Sequence, residues 1–326
     1  LDSNYSSIDF FRQHYGQISE KDEYVKPMII GYLSEARTAA SYAALKECLS
    51  RHPIRLKEKA PYFPNYMYDS LALTATLYPE MFEVGASRGL WHLVTGTATS
   101  LLDSGLLTVD QIRAHAQPFL ITGKRVLEEE SDAISEGEYV YYDLIRVLGL
   151  LNHPEAKSML TKFSKYEDRQ IRFLTLVAML ESGMTVDQKS IYTLASTDQY
   201  RVDLYDELKR LNKLSLFPRD FLSQQHMAQS RLYDYAADED PPVGIVPIGT
   251  KNIMFKGKTQ KVFLFKVTYD EGPDAEYFLG VAGPYAADTK DMSSNDDITG
   301  IYWEEALTGK NKDQLLDAYL KQLQED

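Results

Sequence analysis

SLLDSGLLTVDQI (residues 100–112) and AMLESGMTVDQKS (residues 178–190) are one pattern written twice. Each runs from an apolar helix end through an acidic residue and Ser-Gly to Thr-Val-Asp-Gln. Gly105 and Gly183, lacking a Cβ, can take the left-handed conformation that closes a helix. Thr108 and Thr185 then stand where the next helix wants an N-cap, and Gln111 and Gln188, three residues later, complete a capping box. The recurring unit is helix, turn, helix.

Outward from these passages, apolar residues return at intervals of three and four from about residue 7 to 236. The spacing predicts helices at 8–18, 24–33, 38–49, 67–77, 90–102, 109–119, 139–151, 156–163 and 171–180. PYFPNY (61–66) is the clearest irregular segment of this half. A second, shorter period overlies the first. Asp168 before QIRFLTLVAML and Asp198 before QYRVDLYDEL lie 30 residues apart. YDLIRVLGLLNHPEAKSML, from Tyr142, falls one unit earlier, and YDSLALTATLYPE, from Tyr68, is an earlier echo. A helix pair of this length cannot bury its apolar face alone and must stack on its neighbours. Over residues 138–212 the chain resembles HEAT or armadillo-type repeats, on Asn152-His-Pro-Glu-Ala156-Lys-Ser-Met-Leu160 and Glu167-Asp-Arg-Gln-Ile-Arg172. The likeness extends more loosely toward the N-terminus. It implies an α-solenoid and a binding scaffold, and no chemistry.

After Ala236 the pattern changes. DEDPPVG (238–244) reads as an acidic, proline-bearing linker. KVFLFKVTYD (261–270) alternates Phe263, Phe265, Val267 and Tyr269 with Val262, Leu264 and Lys266. With EGPD and EYFLGVAGPY (276–285) it makes a hairpin signal. DQLLDAYLKQL (313–323) is a terminal helix against which these strands are expected to pack. The expected architecture is mainly α: a helical repeat domain over 1–237, a linker at 238–244, and a small α+β domain over 245–326.

The chain carries a net charge of −13. Residues 238–326 hold 17 acidic and 9 basic residues, residues 1–237 hold 31 and 26. Such a surface repels phosphate backbones and makes nucleic acid a poor partner. Cys48, the single cysteine, can form neither an internal disulfide nor a thiolate cage, and its apolar helix face predicts a buried, inert thiol. No run of 18 apolar residues is present, so no membrane span is expected. The chain starts at Leu1 with neither a methionine nor a signal peptide, as a trimmed or mature form would.

Gly85-Ala-Ser87-Arg-Gly89 matches the G-x-S-x-G of a nucleophile elbow. An elbow needs a strand before it and a helix after it, and residues 81–84 are too short for a central strand. Superposing the two repeated passages puts GASRG in an inter-helix turn, with Ser87 where an N-cap is wanted. The six histidines (14, 52, 92, 115, 153 and 226) form no H-E-x-x-H or other close pair, so no zinc site is expected. His92 follows Ser87 on the next helix, and His153 beside Pro154 reads as a helix-end residue. Asp288, Asp291, Asn295, Asp296 and Asp297 offer oxygens suited to calcium, but lack EF-hand spacing and its central glycine. EEESD (128–132) reads as a solvated helix end. The tyrosine clusters PYFPNYMY (61–68) and EYVYY (138–142) divide between core packing and a protein or glycan contact.

These readings converge on a non-enzymatic protein- or peptide-binding scaffold with no cofactor. A serine hydrolase centred on Ser87 and a surface glycan binder are the alternatives. In a stacked solenoid the second helices line the binding face. Those helices are 156–165 and 187–196. Met159, Leu160 and Phe163 point to the core in the first, Ile191, Leu194 and Ala195 in the second. Lys157, Thr161, Lys165, Lys189 and Tyr192 then point outward. Three lysines gathered in an acidic chain suit an acidic or carboxylate-bearing partner.

Overall fold

A computed structural model describes residues 3–19, 25–35, 38–51, 82, 91–128, 138–237, 241–270, 276–286, 299–302, 306–308 and 311–325. The fold is mainly α, its helices packed against one another, with a small α+β region. Two compact units divide between Thr185 and Val186, inside the second copy of the repeated passage.

The first unit opens with α1 (Ser3–His14), a 3-10 turn (Tyr15–Gln17), α2 (Val25–Glu35) and α3 (Ala39–Arg51). Helices α1 and α2 both pack on α3, where Tyr42, Leu45 and Cys48 are buried with Ile8, Tyr15, Ile29 and Leu33. Cys48 is free and buried as expected, and burial pushes its thiol up to about 11, which leaves it unreactive. Then follow α4 (Trp91–Asp103), α5 (Val109–Ala114), α6 (Ala116–Glu128), α7 (Glu138–Leu151), α8 (Pro154–Phe163) and α9 (Arg169–Glu181).

Helix α7 is the axle. Its Leu144, Ile145, Val147 and Leu148 are buried against α4 (Val94, Ala98, Leu101), α6 (Phe119, Leu120, Val126), α8 (Met159, Leu160, Phe163) and α9 (Ile171, Ala178). Polar stitches run along its rim. Thr99 donates to Asp143 at 2.8 Å, Arg146 donates to Asp103 at 3.0 Å, and Arg113 Nε donates to the Leu150 carbonyl at 2.9 Å. The Arg146 guanidinium holds the Asp103 carboxyl below its usual range.

The repeated turn closes alike in both copies. Gly105 and Gly183 have φ of 70° and 76°. The amide of Leu106 donates to the Leu101 carbonyl and that of Met184 to the Met179 carbonyl, both at 2.9 Å, while Gly105 and Gly183 donate to Leu102 and Leu180. This is the Schellman pattern. The starts of the following helices differ. Thr108 caps α5 with Gln111 in a complete capping box, as expected. Thr185 does not cap; Asp187 does, accepting from Ser190 at 2.9 Å. Two apolar residues separate Gly105 from Thr108 but only Met184 separates Gly183 from Thr185, so the chain reaches its cap two residues farther along the motif.

The single helix expected at 109–119 is two helices broken at His115. Pro118 has no amide hydrogen, and its ring clashes with the carbonyl four residues earlier, that of Ala114, where α5 ends. Asp168 caps α9 through the Ile171 amide, but Thr197, not Asp198, stands at the corresponding cap. The structural period there is therefore 29 residues.

The second unit holds α10 (Gln188–Ala195), α11 (Asp198–Arg210), 3-10 turns at Leu214–Leu216 and Arg219–Phe221, and α12 (Gln224–Ala236). Strands β1 (Gly244–Phe255), β2 (Lys258–Thr268), β3 (Phe278–Ala286) and β4 (Thr299–Tyr302) form an antiparallel sheet in sequence order, followed by α13 (Lys312–Glu325). The β1–β2 hairpin turns on Lys256 and Gly257, both at positive φ, as a tight hairpin requires. Phe263, Phe265 and Val267 pack on Ala228, Leu232 and Ala236 of α12. Val262, Leu264, Leu279 and Val281 pack on Leu315, Leu316 and Tyr319 of α13. The alternation expected in β2 is present and the terminal helix covers one face. The other face is covered by α12, a helix that its 3.6-residue pattern alone assigns to the repeats.

Candidate functional site

Three of the five candidate residues belong to the first unit. Asn152, with φ of 49°, turns the chain out of α7, and His153 caps α8, its Nδ1 accepting from the Glu155 amide at 3.2 Å. Pro154 supplies the first helical residue, where its missing amide hydrogen costs nothing. Ala156, Met159, Leu160 and Phe163 are buried, which fixes the rotation of the helix. Thr161 is then exposed and Lys157 half-buried; α8 ends at Phe163 rather than 165, so Lys165, also exposed, lies in the turn beyond it. Thr161 returns its hydroxyl to the Lys157 carbonyl at 2.9 Å. Lys162, outside the sequence-derived set, is exposed on the same helix.

The other two belong to the second unit. Asp187 accepts from the Ser190 hydroxyl at 2.6 Å and from its amide, bonds that hold the carboxyl below its usual range and start α10. Ile191, Leu194 and Ala195 are buried, leaving Lys189 exposed and Tyr192 47% exposed. The Tyr192 ring meets Phe221 edge to face at 5.2 Å, and Phe221 meets His226 at 5.6 Å. Tyr192 is therefore part of an aromatic ledge with Phe221 and His226.

The ledge rests on a buried arginine. Arg201 is 3% exposed, with its guanidinium 5.4 Å from the Phe221 ring centre. Its Nε donates to the Ala195 carbonyl and Nη1 to the His226 carbonyl, each at 2.7 Å, and Nη2 reaches Ser196 at 3.3 Å. Asp198 pairs with it at 2.7 Å. One side chain thus ties the end of α10 to the starts of α11 and α12 and positions Phe221 beneath Tyr192. The signal for it was present: Arg201 stands in phase with Tyr200, Leu204, Tyr205 and Leu208, all buried. A charged residue in the core phase of a helix calls for partners.

Two carboxylates lie where α11 and α12 pack. Asp203 and Asp234 are exposed, yet the surrounding protein takes away much of their carboxyls' water; Asp206 and Glu207 add to the effect at Asp203, and Asp203 adds to it at Asp234. Both are pushed up, Asp234 to about 7.

Other candidates fall elsewhere. Ser87 and the GASRG turn, His52, PYFPNYMY, the predicted helix 67–77, residues 129–132 and the carboxylates of 288–297 lie outside the described residues, as does the His92 side chain. So do residues 238–240 of the acidic stretch. Of EYVYY, Tyr141 is core, its ring 6.0 Å from Phe163, and Tyr142 is half-buried. Among the described residues no group of three or more His, Cys, Asp or Glu is arranged to hold a metal ion, and no helix is long and apolar enough to cross a membrane. Comparison of the chain with protein families, curated proteins and solved structures finds no match.

Proposed function

We propose that this chain is a non-enzymatic binding module, a HEAT- or armadillo-type stack of helix pairs followed by a sheet domain, that holds an acidic protein or peptide segment. One observation carries the reading. In the first unit Arg12 pairs with Glu47, Lys124 with Glu155 and Arg146 with Asp103. Lys157, Lys162 and Lys165 make no ion pair among the described residues, and neither does Lys189 of α10. In a chain of net −13, surplus carboxylates are plentiful, and lysines held apart from them are ready for an external anion. Tyr192, beside Lys189 on α10, adds a large, rigid, amphipathic ring of the kind that anchors interfaces.

The test is a charge reversal. A partner captured on the immobilised chain is titrated against the native protein and against a Lys157→Glu, Lys165→Glu, Lys189→Glu variant whose circular dichroism and melting are unchanged. Affinity should fall at least tenfold and its salt dependence should flatten. Unchanged affinity and unchanged salt dependence would refute the assignment of these lysines.

A further inference from the structure

We propose that the outer edge of β1 at residues 250–255 binds an acidic peptide in extended conformation, which adds to the sheet as a further strand. Among the described residues β1 pairs only with β2 and ends the sheet. The first half of this edge is closed. Gln229 of α12 donates to the Ile245 carbonyl at 3.0 Å, Pro247 has no amide hydrogen, and the register slips between Pro247 and Gly249. Proline and bulges are devices that keep other strands away from an edge.

The second half lacks them. The two-residue turn at Lys256 and Gly257 makes Phe255 and Lys258 a hydrogen-bonded pair. Counting back by twos, Ile253 and Lys251 also bond to β2, and the amides and carbonyls of Met254, Asn252 and Thr250 face away from it. These outward groups have no hydrogen-bond partner among the described residues. The three side chains are exposed, Met254 at 61%. Six residues of strand, about 20 Å, thus offer the row of donors and acceptors that strand addition uses.

Charge selects the occupant. Residues 244–268, the whole hairpin, hold five lysines and no carboxylate, within a segment, 238–326, of 17 acidic and 9 basic residues. Lys251 reaches Asp317 at 3.3 Å. Lys256, Lys258, Lys261 and Lys266 make no ion pair among the described residues. The register puts Lys251 and Lys258 on one face of the sheet and Lys261 on the other. Side chains of an added strand alternate between these faces, so a carboxylate on either one finds a lysine on its side. A second copy of β1 would instead bring lysines against lysines. The site draws on none of the lysines of α8 and α10.

The experiment titrates the full chain with a capped fluorescent peptide of about six residues, alternating glutamate and valine, followed by anisotropy. Saturable one-to-one binding below about 1 mM is expected, weakening as salt rises. The same peptide N-methylated throughout, and one with lysine in place of glutamate, should each bind about tenfold more weakly or worse. By NMR, hydrogen exchange at the Thr250, Asn252 and Met254 amides should slow about tenfold on saturation, while Lys251 and Ile253 change less. Asn252→Pro removes one outward donor, and a Lys258→Glu, Lys261→Glu variant reverses the charge; each should weaken the peptide about tenfold. The Lys157→Glu, Lys165→Glu, Lys189→Glu variant should bind it as the native chain does. No saturable binding up to about 1 mM, equal binding of the N-methylated peptide, or loss of binding in that triple variant overturns the proposal. So does a dimer in sedimentation that Asn252→Pro abolishes, since that gives the edge to a second copy of the chain.

Discussion

Replacing Arg201 by leucine should disrupt the α10–α12 region while leaving the first unit intact. The side chain is nearly fully buried, and leucine approximates its stem while removing every donor. Left behind are the Ala195 and His226 carbonyls, each bonded at 2.7 Å in the native protein, and the Asp198 carboxylate. Asp198 keeps the Gln229 amide at 2.9 Å on its other oxygen, so its charge is not wholly abandoned. Hydrogen bonds to a charged donor contribute about 1.5–3 kcal/mol each, and removing one partner of a buried pair costs about 3–5 kcal/mol. The contributions overlap, and about 3–5 kcal/mol is the expected total. At roughly 1.4 kcal/mol per decade, amide hydrogen exchange over α10, α11 and α12 should accelerate by two to nearly four orders of magnitude. Exchange in α7 and α8 serves as the internal reference. Arg201→Lys keeps the charge but not the planar fork, and should cost about half as much. Protection of α10–α12 in Arg201→Leu within threefold of native would refute the view that this side chain holds the three helices together.

Asp203 and Asp234 give a pH dependence of defined sign. The Asp234 carboxyl, raised in the native state, binds more protons than its unfolded counterpart between about 3.8 and 7, so its contribution to stability is full below that window and lost as pH rises through it; Asp203 acts with the same sign. Asp234→Asn should stabilise at pH 7.5 by about 1 kcal/mol or less, given an accessible carboxyl, and change little at pH 4, as read by urea unfolding at both values. Thr108→Ala and Asp187→Ala should each cost about 0.5–2 kcal/mol, while Thr185→Ala should stay within about 0.5 kcal/mol; equal losses at Thr185 and Asp187 would contradict the cap assignment. Protease should nick the chain near 238–244, and the fragments should co-elute under native conditions because α12 packs on β2 across the cut. On the non-enzymatic reading a fluorophosphonate leaves Ser87 unlabelled; stoichiometric labelling that Ser87→Ala removes would reverse it.

The helical architecture was legible because its signals are local. Gly105 and Gly183 follow apolar helix ends, and a residue without a Cβ has one common use there. Pro118 was equally local, and reading the carbonyl it excludes would have split 109–119 correctly. What the sequence hid was partnership. The apolar face of α12 shows the same period whether it meets a helix or a sheet, so nothing in Ala228, Leu232 and Ala236 announced Phe265. Strand β1 escaped because it is an edge strand with only Ile245 buried, and its alternation is correspondingly weak. Lys157 and Lys189 were legible from the buried positions of α8 and α10, while Lys165 falls in the turn past the end of α8. The aromatic ledge was not legible, since Phe221 reaches Tyr192, and His226 reaches Phe221, only through the turns after α11.

The covering of β2 on both faces has a consequence for how the chain is made. Phe265 finds its cover in α12, already synthesised when the strand emerges, whereas Leu264 waits for Leu316. At about 5–20 residues per second, ribosomal elongation leaves that second face open for some seconds after the first is closed. During that interval the nascent sheet presents Val262, Leu264, Leu279 and Val281 together, an apolar strip with a strand edge beside it. Interrupting translation before Leu316 would therefore yield a sticky half-closed sheet rather than a smaller folded protein, a vulnerability set by the order in which the pieces are spoken rather than by their final stability.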